Sequence, residues 1–187
     1  CDGDFIMAET KFKFKKCELL PNEGSSLDEN YSLLGGGPII DYYESIDSPT
    51  ISMNLTFIDV DQVISRKGIS GGEYIDLIIQ VDGFDDFKLT QKKHNLILNS
   101  VRNIITETNK QVATLEFVSV ESYINETARV NKKFTGNVSQ TVSELLVSYK
   151  KGIQTKKKLD KHNSANSYSF VGNLKRPFDT VQWLCPK

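Results

Sequence analysis

Acidic side chains beside a turn are the first residues in this sequence whose types and spacing could support catalysis. Asp82, Asp85 and Asp86 lie close together around Gly83 and Phe84. A glycosidase needs two carboxylates held at a set separation, and these acids could supply them. However, Asp followed by Gly is also ordinary hairpin chemistry, because both residues accept turn conformations. We therefore predict a turn here and no catalytic role.

The histidines and cysteines form no metal-binding or nucleophilic motif. His94 and His162 are isolated in polar sequence, whereas zinc sites need several ligands, usually in close pairs. Cys1, Cys17 and Cys185 are odd in number and far apart, so they predict no disulfide framework. Cys17, at the end of a predicted strand, is expected to be a small buried apolar residue. The sequence thus predicts no catalytic, cofactor-binding or metal-binding residues, no enzyme activity and no hydrolysis of peptidoglycan, polysaccharide or nucleic acid.

Two segments could in principle bind phosphate. Gly35-Gly36-Gly37 ends a polar loop at residues 21–38, but a phosphate-binding loop requires a helix directly after it, and residues 38–43 are typical of a strand. The second segment, residues 156–161, is rich in lysine but lacks the interleaved aromatic residues of a single-strand nucleic-acid site. The net charge of −1 also lacks the basic excess that such binding needs. We predict that residues 21–38 form a flexible connection and that the lysine-rich segment is a solvated loop.

The composition is that of an ordinary globular protein. The 187 residues are 39% hydrophobic and 25% charged, enough for one large domain or one domain and part of another. No apolar run reaches the ~20 residues that span a bilayer, and no signal peptide is visible, so we expect no stable membrane insertion. Met7 resembles a true start, so residues 1–9 are expected to be disordered or introduced by read-through or cloning. The chain is expected to be truncated inside its last helix.

Alternation of apolar and polar residues predicts strands through the first two-thirds of the chain. In the first strand Phe12 and Phe14 share one face, and in a later strand the alternation runs from Ile51 to Asp59. Six or seven strands at short spacing, without helices between them, indicate an antiparallel barrel or sandwich. We assign this barrel domain to residues 10–122. The predicted strands cover residues 10–20, 38–43, 50–61, 73–81, 86–89, 94–105 and 110–125.

The pattern changes after about residue 124. A helical face predicts a helix at residues 139–151, capped by Ser139 or by a capping box of Thr141 and Glu144, with Gly152 ending it. A short strand is predicted at residues 166–171, and a final helix begins at Pro177. We assign residues 123–187 to a partial α+β domain. The predicted fold class is therefore mainly β (α+β).

The order of these elements resembles a known family. The resemblance rests on four segments: residues 71–79 (GGEYIDLII), 115–121 (LEFVSVE), 142–146 (VSELL) and 176–184 (RPFDTVQWL). Together they resemble the first tube domain of the baseplate hub protein of T-even-type contractile-tailed bacteriophages, followed by the start of its inserted α+β domain. The resemblance covers nearly the whole chain from about Phe12, and its most specific part is the closing stretch.

The resemblance implies a structural role in the virion, with no catalytic residues. Proteins of this family form a three-fold ring that joins the tail tube to the central spike and surrounds the channel for DNA. Expected partners are other baseplate, tube and spike proteins, and DNA passes without specific binding. The full-length protein is expected to be a homotrimer, assembled in the bacterial host cytoplasm and located in the tail baseplate.

A three-fold hub on a six-fold tube needs two tube domains per subunit, whereas this chain has one. We therefore expect this chain to be monomeric or weakly associated, with Phe178 and Trp183 exposed on its last helix.

Two other classes remain open. A carbohydrate-binding or weakly glycoside-cleaving β module of a virion has the same strand-rich composition, and a buried pair of carboxylates in a cleft would favour it. A nucleic-acid-binding barrel would require a contiguous basic and aromatic face, which the linear sequence does not show.

Overall fold

The computed structural model describes residues 12–91, 94–107 and 110–185, so the predicted N-terminal segment 1–9 lies outside the described residues. The protein is mainly β, with 37% strand and 21% helix, and its sheet is antiparallel. The predicted class of a mainly β, α+β protein is confirmed.

Eight strands form one sheet in the order β2-β1-β5-β7-β8-β4-β3, with β6 pairing β5. Register pairs show antiparallel pairing of β1 with β2 and β5, and of β5 with β6 and β7. A 3-10 turn at Leu34–Gly36 separates β2 from β3, and helix α1, Val63–Lys67, separates β4 from β5. The strands are β1 Phe12–Leu20, β2 Tyr31–Ser32, β3 Ile39–Tyr43, β4 Ser52–Asp59, β5 Tyr74–Val81, β6 Phe87–Leu89, β7 Leu96–Glu107 and β8 Lys110–Ser119.

Short helices and a small second sheet make up the rest of the chain. Strands β9 (Lys133–Phe134) and β10 (Phe170–Val171) pair antiparallel, so the helix between them in sequence is not a crossover between parallel strands. The helices are α2 Val120–Thr127, α3 Val138–Ser143, which continues as a π-helical turn Glu144–Ser148, and α4 Pro177–Leu184.

The chain divides into two compact units. Among the described residues, the N-terminal unit contains residues 12–41 and Met53–Phe117, and the C-terminal unit contains Tyr42–Ser52 and residues 118–185. These units are groups of residues that pack together. The predicted domains at residues 10–122 and 123–187 have different bounds, and that division stays a prediction.

One short segment of the N-terminal unit contacts strands near both ends of the sheet. The Leu33 N–H donates to the Cys17 carbonyl in β1 at 2.8 Å. Three residues later, Gly36 packs so closely on β4 that an added Cβ would lie 2.5 Å from the Ile58 carbonyl oxygen. The sheet is therefore curled around its core. In the described strands β2 and β3 remain the two ends of the sheet, so a closed barrel is not shown.

Strand β4 follows the predicted alternation. Met53, Leu55 and Phe57 are buried, and so is Asp59 at the end of the same face. Their apolar surface contributes to the core at roughly 25 cal/mol per Å² removed from water.

Strand β1 departs from strict alternation. The register with β5 shifts between Phe14 and Lys16, as in a β-bulge. A bulge moves the inward positions by one residue. The apolar face therefore passes from Phe12 and Phe14 before the bulge to Cys17 and Leu19 after it. Cys17 and Leu19 are fully buried, whereas Phe12, at the end of the strand, is 64% exposed. Cys17 is thus the small buried residue that was predicted.

The loop predicted at residues 21–38 as a flexible connection is instead packed against the core. It contains β2 and the 3-10 turn, and Leu27 and Leu33 are buried. Two apolar anchors widely spaced in a polar segment have no periodicity, which is why the sequence did not reveal them. Strand β3 follows the loop, as predicted.

The C-terminal helices differ in detail from those predicted. The strand predicted to reach residue 125 ends at Ser119, and α2 begins at Val120. Helix α3 is capped by Asn137, whose Oδ1 accepts from the Ser139 N–H at 2.9 Å, so both predicted caps were wrong. Asn is as good a cap as Ser, and it lies outside the apolar pattern used for the prediction. Helix α4 begins at Pro177 as predicted.

Among the described helices, none combines the length and apolar character required to cross a bilayer.

A buried carboxylate holds α1 in place. Asp59 is 1% exposed, and its two oxygens accept from the backbone N–H groups of Val63, at 2.8 Å, and Ile64, at 3.0 Å. Removing the acceptor leaves two buried donors without it, which costs about 2–3 kcal/mol. We expect Asp59→Ala to lose this much stability in urea unfolding and Asp59→Asn to lose less. The exposed Asp61→Ala is the control, and equal losses in the two alanine variants would contradict the capping role.

Candidate functional site

The C-terminal unit contains a pocket of about 310 Å³. Segment 44–51, the start of α2 and segment 153–159 surround it. Its apolar lining includes Leu146, Ile153 and Phe178. Phe178 is 8% exposed and its N–H donates to Asn125 Oδ1 at 2.9 Å. The prediction that Phe178 is exposed was therefore wrong, because α4 turns this residue inward.

The polar side of the pocket is a closed hydrogen-bonded cluster. Glu121 Oε1 accepts from the Thr155 hydroxyl at 2.7 Å, and Oε2 accepts from the Lys157 ammonium at 3.0 Å. Thr155 Oγ1 also accepts from the Lys157 N–H at 3.2 Å. Both oxygens of this nearly buried carboxylate are thus occupied, one of them by a cation. Glu121 is therefore suited to holding the 155–157 segment rather than to acting as a general base.

The second carboxylate of the pocket lies on its rim. Glu44 is exposed, and its Oε2 accepts from the Tyr42 hydroxyl at 2.9 Å. Burial, together with this hydrogen bond, raises the pKa of Tyr42 to about 12. The described lining therefore contains no buried pair of carboxylates, the feature that would favour a glycoside-cleaving module.

The acidic cluster of the sequence forms the predicted turn. The Phe84 N–H donates to the Val81 carbonyl at 3.2 Å, and Gly83 adopts a positive φ of 81° that favours glycine. Asp86 forms an ion pair with Lys15 at 3.1 Å, whereas Asp82 and Asp85 are exposed. The predicted turn is confirmed.

The remaining sequence candidates are dispersed. His94 Nδ1 accepts from the Thr90 N–H at 3.3 Å, and His162 is exposed. Burial raises the pKa of Cys17 to about 12, so its thiol is not a nucleophile at neutral pH. In residues 12–91, 94–107 and 110–185, no group of three or more His, Cys, Asp or Glu side chains could hold a metal ion.

Part of the lysine-rich segment packs instead of remaining solvated. Lys157 binds Glu121, and the Lys161 ammonium donates to Ser143 Oγ at 2.6 Å. The prediction of a solvated loop is wrong for Lys157, because its partner Glu121 comes from α2 and is distant in sequence. Lys161 is exposed.

Sequence reasoning missed an aromatic cluster that the fold assembles from distant segments. The Phe170 ring stacks on Phe134 with centroids 5.3 Å apart and meets Trp183 edge-on at 5.3 Å. Tyr168 also meets Trp183 edge-on at 5.5 Å. The ammonium of Lys175 lies 5.5 Å from the Trp183 ring centroid. The one local signal was the alternation of Tyr168 and Phe170 in a predicted strand.

In the described part of the chain, Glu73 of the N-terminal unit is the one buried carboxylate whose oxygens accept no hydrogen bond. Its side chain is fully buried, and neither oxygen has a hydrogen-bond partner among the described residues. Burial raises the pKa of Glu73 above its usual 4.5. Such a group costs stability when it is charged.

The Glu121 cluster predicts a clear difference between neighbouring lysines. Lys157→Met leaves the Glu121 carboxylate nearly buried without its cation, and we expect a loss of about 1–2 kcal/mol in thermal or urea unfolding. Lys158→Met is the matched control, because Lys158 is exposed on the rim of the same pocket. Its expected change is below about 0.5 kcal/mol. Equal effects of the two substitutions would show that the ion pair is not structural.

The raised pKa of Glu73 predicts a pH dependence of stability. In the unfolded chain Glu73 loses its proton at the ordinary pKa, while the folded state retains it until the raised pKa is reached. The free energy of unfolding therefore falls as the pH rises from the ordinary pKa to the raised pKa of Glu73. Above the raised pKa the folded state carries the full cost of a buried charged carboxylate. We expect Glu73→Gln to be more stable than the wild type at pH ~7, with a difference that shrinks towards pH ~4. Urea unfolding across this range measures the effect. The exposed Glu29→Gln is the control, and a pH-independent difference for Glu73→Gln would refute the assignment.

Comparison with known proteins does not assign the chain to a family. No protein-family model and no curated protein matches this chain.

Proposed function

We propose that this chain is a structural component of the baseplate hub of a contractile-tailed bacteriophage, joining the tail tube to the central spike and lining the channel through which DNA leaves. The observation that carries the proposal is the curled antiparallel sheet of the N-terminal unit. One segment, residues 33–36, contacts both β1 and β4. A barrel-like tube domain requires an antiparallel sheet that is curled in this way.

The C-terminal unit supports the second half of the resemblance. Segment 176–184, the most specific part of the resemblance, forms a helix led by Pro177 after a short extended stretch. Helices α2 and α3 and the two-stranded sheet β9–β10 precede it, an arrangement that fits an inserted α+β domain.

The charge of the chain is compatible with a channel that does not retain DNA. The 23 basic residues are balanced by 24 acidic residues. Tight binding to phosphates draws on a local excess of Lys and Arg, and the balanced composition is compatible with DNA passing without specific binding. In this proposal the partners are tube, spike and other baseplate proteins, and the full-length protein is a homotrimer in the virion.

The alternative of a virion carbohydrate module divides into two parts. Glycoside cleavage is not favoured, because Glu121 is bound to Lys157 and Glu44 lies exposed on the rim. Carbohydrate binding without cleavage is favoured by one observation, the half-exposed aromatic rings of Tyr168 and Trp183.

Immunogold electron microscopy tests the hub proposal. Antibodies raised against the purified chain are applied to contractile-tailed particles from the same source, with an antibody against the tube protein as the positive control. We expect gold at the baseplate end of the tail tube. Labelling of the capsid or of fibres, or no labelling of particles that the control antibody marks, would refute the hub role.

A further inference from the structure

Beside Trp183 the C-terminal unit contains a recess of about 220 Å³. One side consists of the rings of Phe170 and Trp183, and the other consists of the turn at residues 171–175. Pockets for drug-sized ligands usually measure ~300–1,000 Å³, so this recess has room for a single ring.

The aromatic side is rigid before any ligand arrives. Phe170 and Trp183 meet at an interplanar angle of 71°, and Phe170 is supported from behind by the stacked ring of Phe134. Trp183 remains 47% exposed. Aromatic side chains have few rotatable bonds, so a supported pair binds a ligand with little loss of side-chain entropy.

The turn on the other side is also fixed. The Lys175 N–H donates to the Gly172 carbonyl at 3.1 Å, and the Leu174 N–H donates to the Val130 carbonyl at 2.8 Å. Val130 in turn donates to the Lys175 carbonyl at 2.9 Å. These bonds fix the backbone of the turn, from which Asn173 and Lys175 line the recess. An amide and an ammonium can bind hydroxyl or carboxylate groups.

The shape of the recess favours a puckered ring over a flat one. Two rings at nearly a right angle can both contact a chair-shaped ring, because such a ring presents C–H groups on its face and on its side. A flat nucleobase could stack on only one of them. A pyranose combines this apolar face with a hydrogen-bonding edge, and it suits both sides of the recess.

The charge of the recess selects among sugars. Lys175 is exposed, and among the described lining residues it is the one charged group. Its ammonium lies over the Trp183 ring, close to where a bound ring would lie. A carboxylate on the sugar would bind this ammonium in a charge-assisted hydrogen bond.

We propose that this recess is a binding site for an acidic saccharide, a pyranose that carries a carboxylate, with Phe170 and Trp183 contacting its ring and Lys175 binding its carboxylate. This function goes beyond the structural role in the baseplate. It would give the protein a contact with acidic polysaccharide independent of its assembly partners.

Intrinsic fluorescence tests the site directly, because Trp183 is the one tryptophan in the sequence. The chain is titrated with a galacturonate oligomer and with a glucose oligomer of equal length as the neutral control. We expect a saturable change with the acidic oligomer at a Kd of about 1 mM or lower, and binding at least ~tenfold weaker with the neutral one.

Substitutions assign the binding to the recess. Lys175→Met should weaken galacturonate binding at least ~tenfold, and Lys175→Arg, which keeps the charge, should preserve most of it. The control Lys156→Met removes an exposed lysine outside the recess and should change the Kd less than ~twofold. Calorimetry with Trp183→Ser should show loss of binding without dependence on fluorescence.

Four results would overturn the proposal. The first is the absence of a saturable fluorescence change up to ~10 mM oligomer, and the second is equal binding of the neutral and acidic oligomers. The third is tighter binding of an oligonucleotide than of galacturonate, and the fourth is a Trp183 signal that changes with protein concentration alone. The last result would identify the aromatic surface as a contact between copies of this chain.

Discussion

The close approach of one glycine to a neighbouring strand is the constraint on which the N-terminal unit depends. At Gly36 the backbone lies against the Ile58 carbonyl, where a side chain of any size would collide. Because this approach is possible, residues 33–36 contact β4 while Leu33 is hydrogen-bonded to β1. The strands between these two contacts must curl, and the curl encloses Leu55, Leu77 and Leu115. A wider separation would expose this core to solvent.

Buried charge is handled differently in the two units. Asp59 is satisfied by backbone N–H groups, and Glu121 is satisfied by a hydroxyl and an ammonium. Glu73 has neither kind of partner among the described residues. A carboxylate bound to backbone depends only on the local path of the chain, whereas one bound to side chains ties together segments distant in sequence. The first arrangement therefore stabilises a single helix, and the second organises a pocket.

The sequence predicted features that depend on local periodicity and missed those that depend on distant partners. The alternation in β4 and the start of α4 at Pro177 follow from neighbouring residues alone. The bulge in β1 is visible only in its pairing with β5, so strict alternation from Phe12 and Phe14 does not place Cys17 and Leu19 on the same face, where the structure has them. For the candidate pocket, Glu121 of α2 binds Thr155 and Lys157, and no spacing rule within a single segment could have predicted this contact. The recess beside Trp183 is lined by residues within 170–183, but the sequence pattern does not predict the turn that brings Phe170 and Trp183 together.

The pairing of β1 with β5 also determines the order in which the chain can fold. Leu20 lies opposite Tyr74, and Phe12 lies opposite Val81. Strand β1 pairs with β2 only near its end, so most of its length finds a partner only after β2, β3, β4 and α1 have been synthesised. Contacts this distant in sequence form slowly, because the intervening loop must close before any strand pairing compensates for the lost entropy. On the ribosome, β1 therefore emerges long before its partner. The alternating lysines at positions 13 and 15 keep the unpaired strand charged, which opposes pairing with other nascent chains.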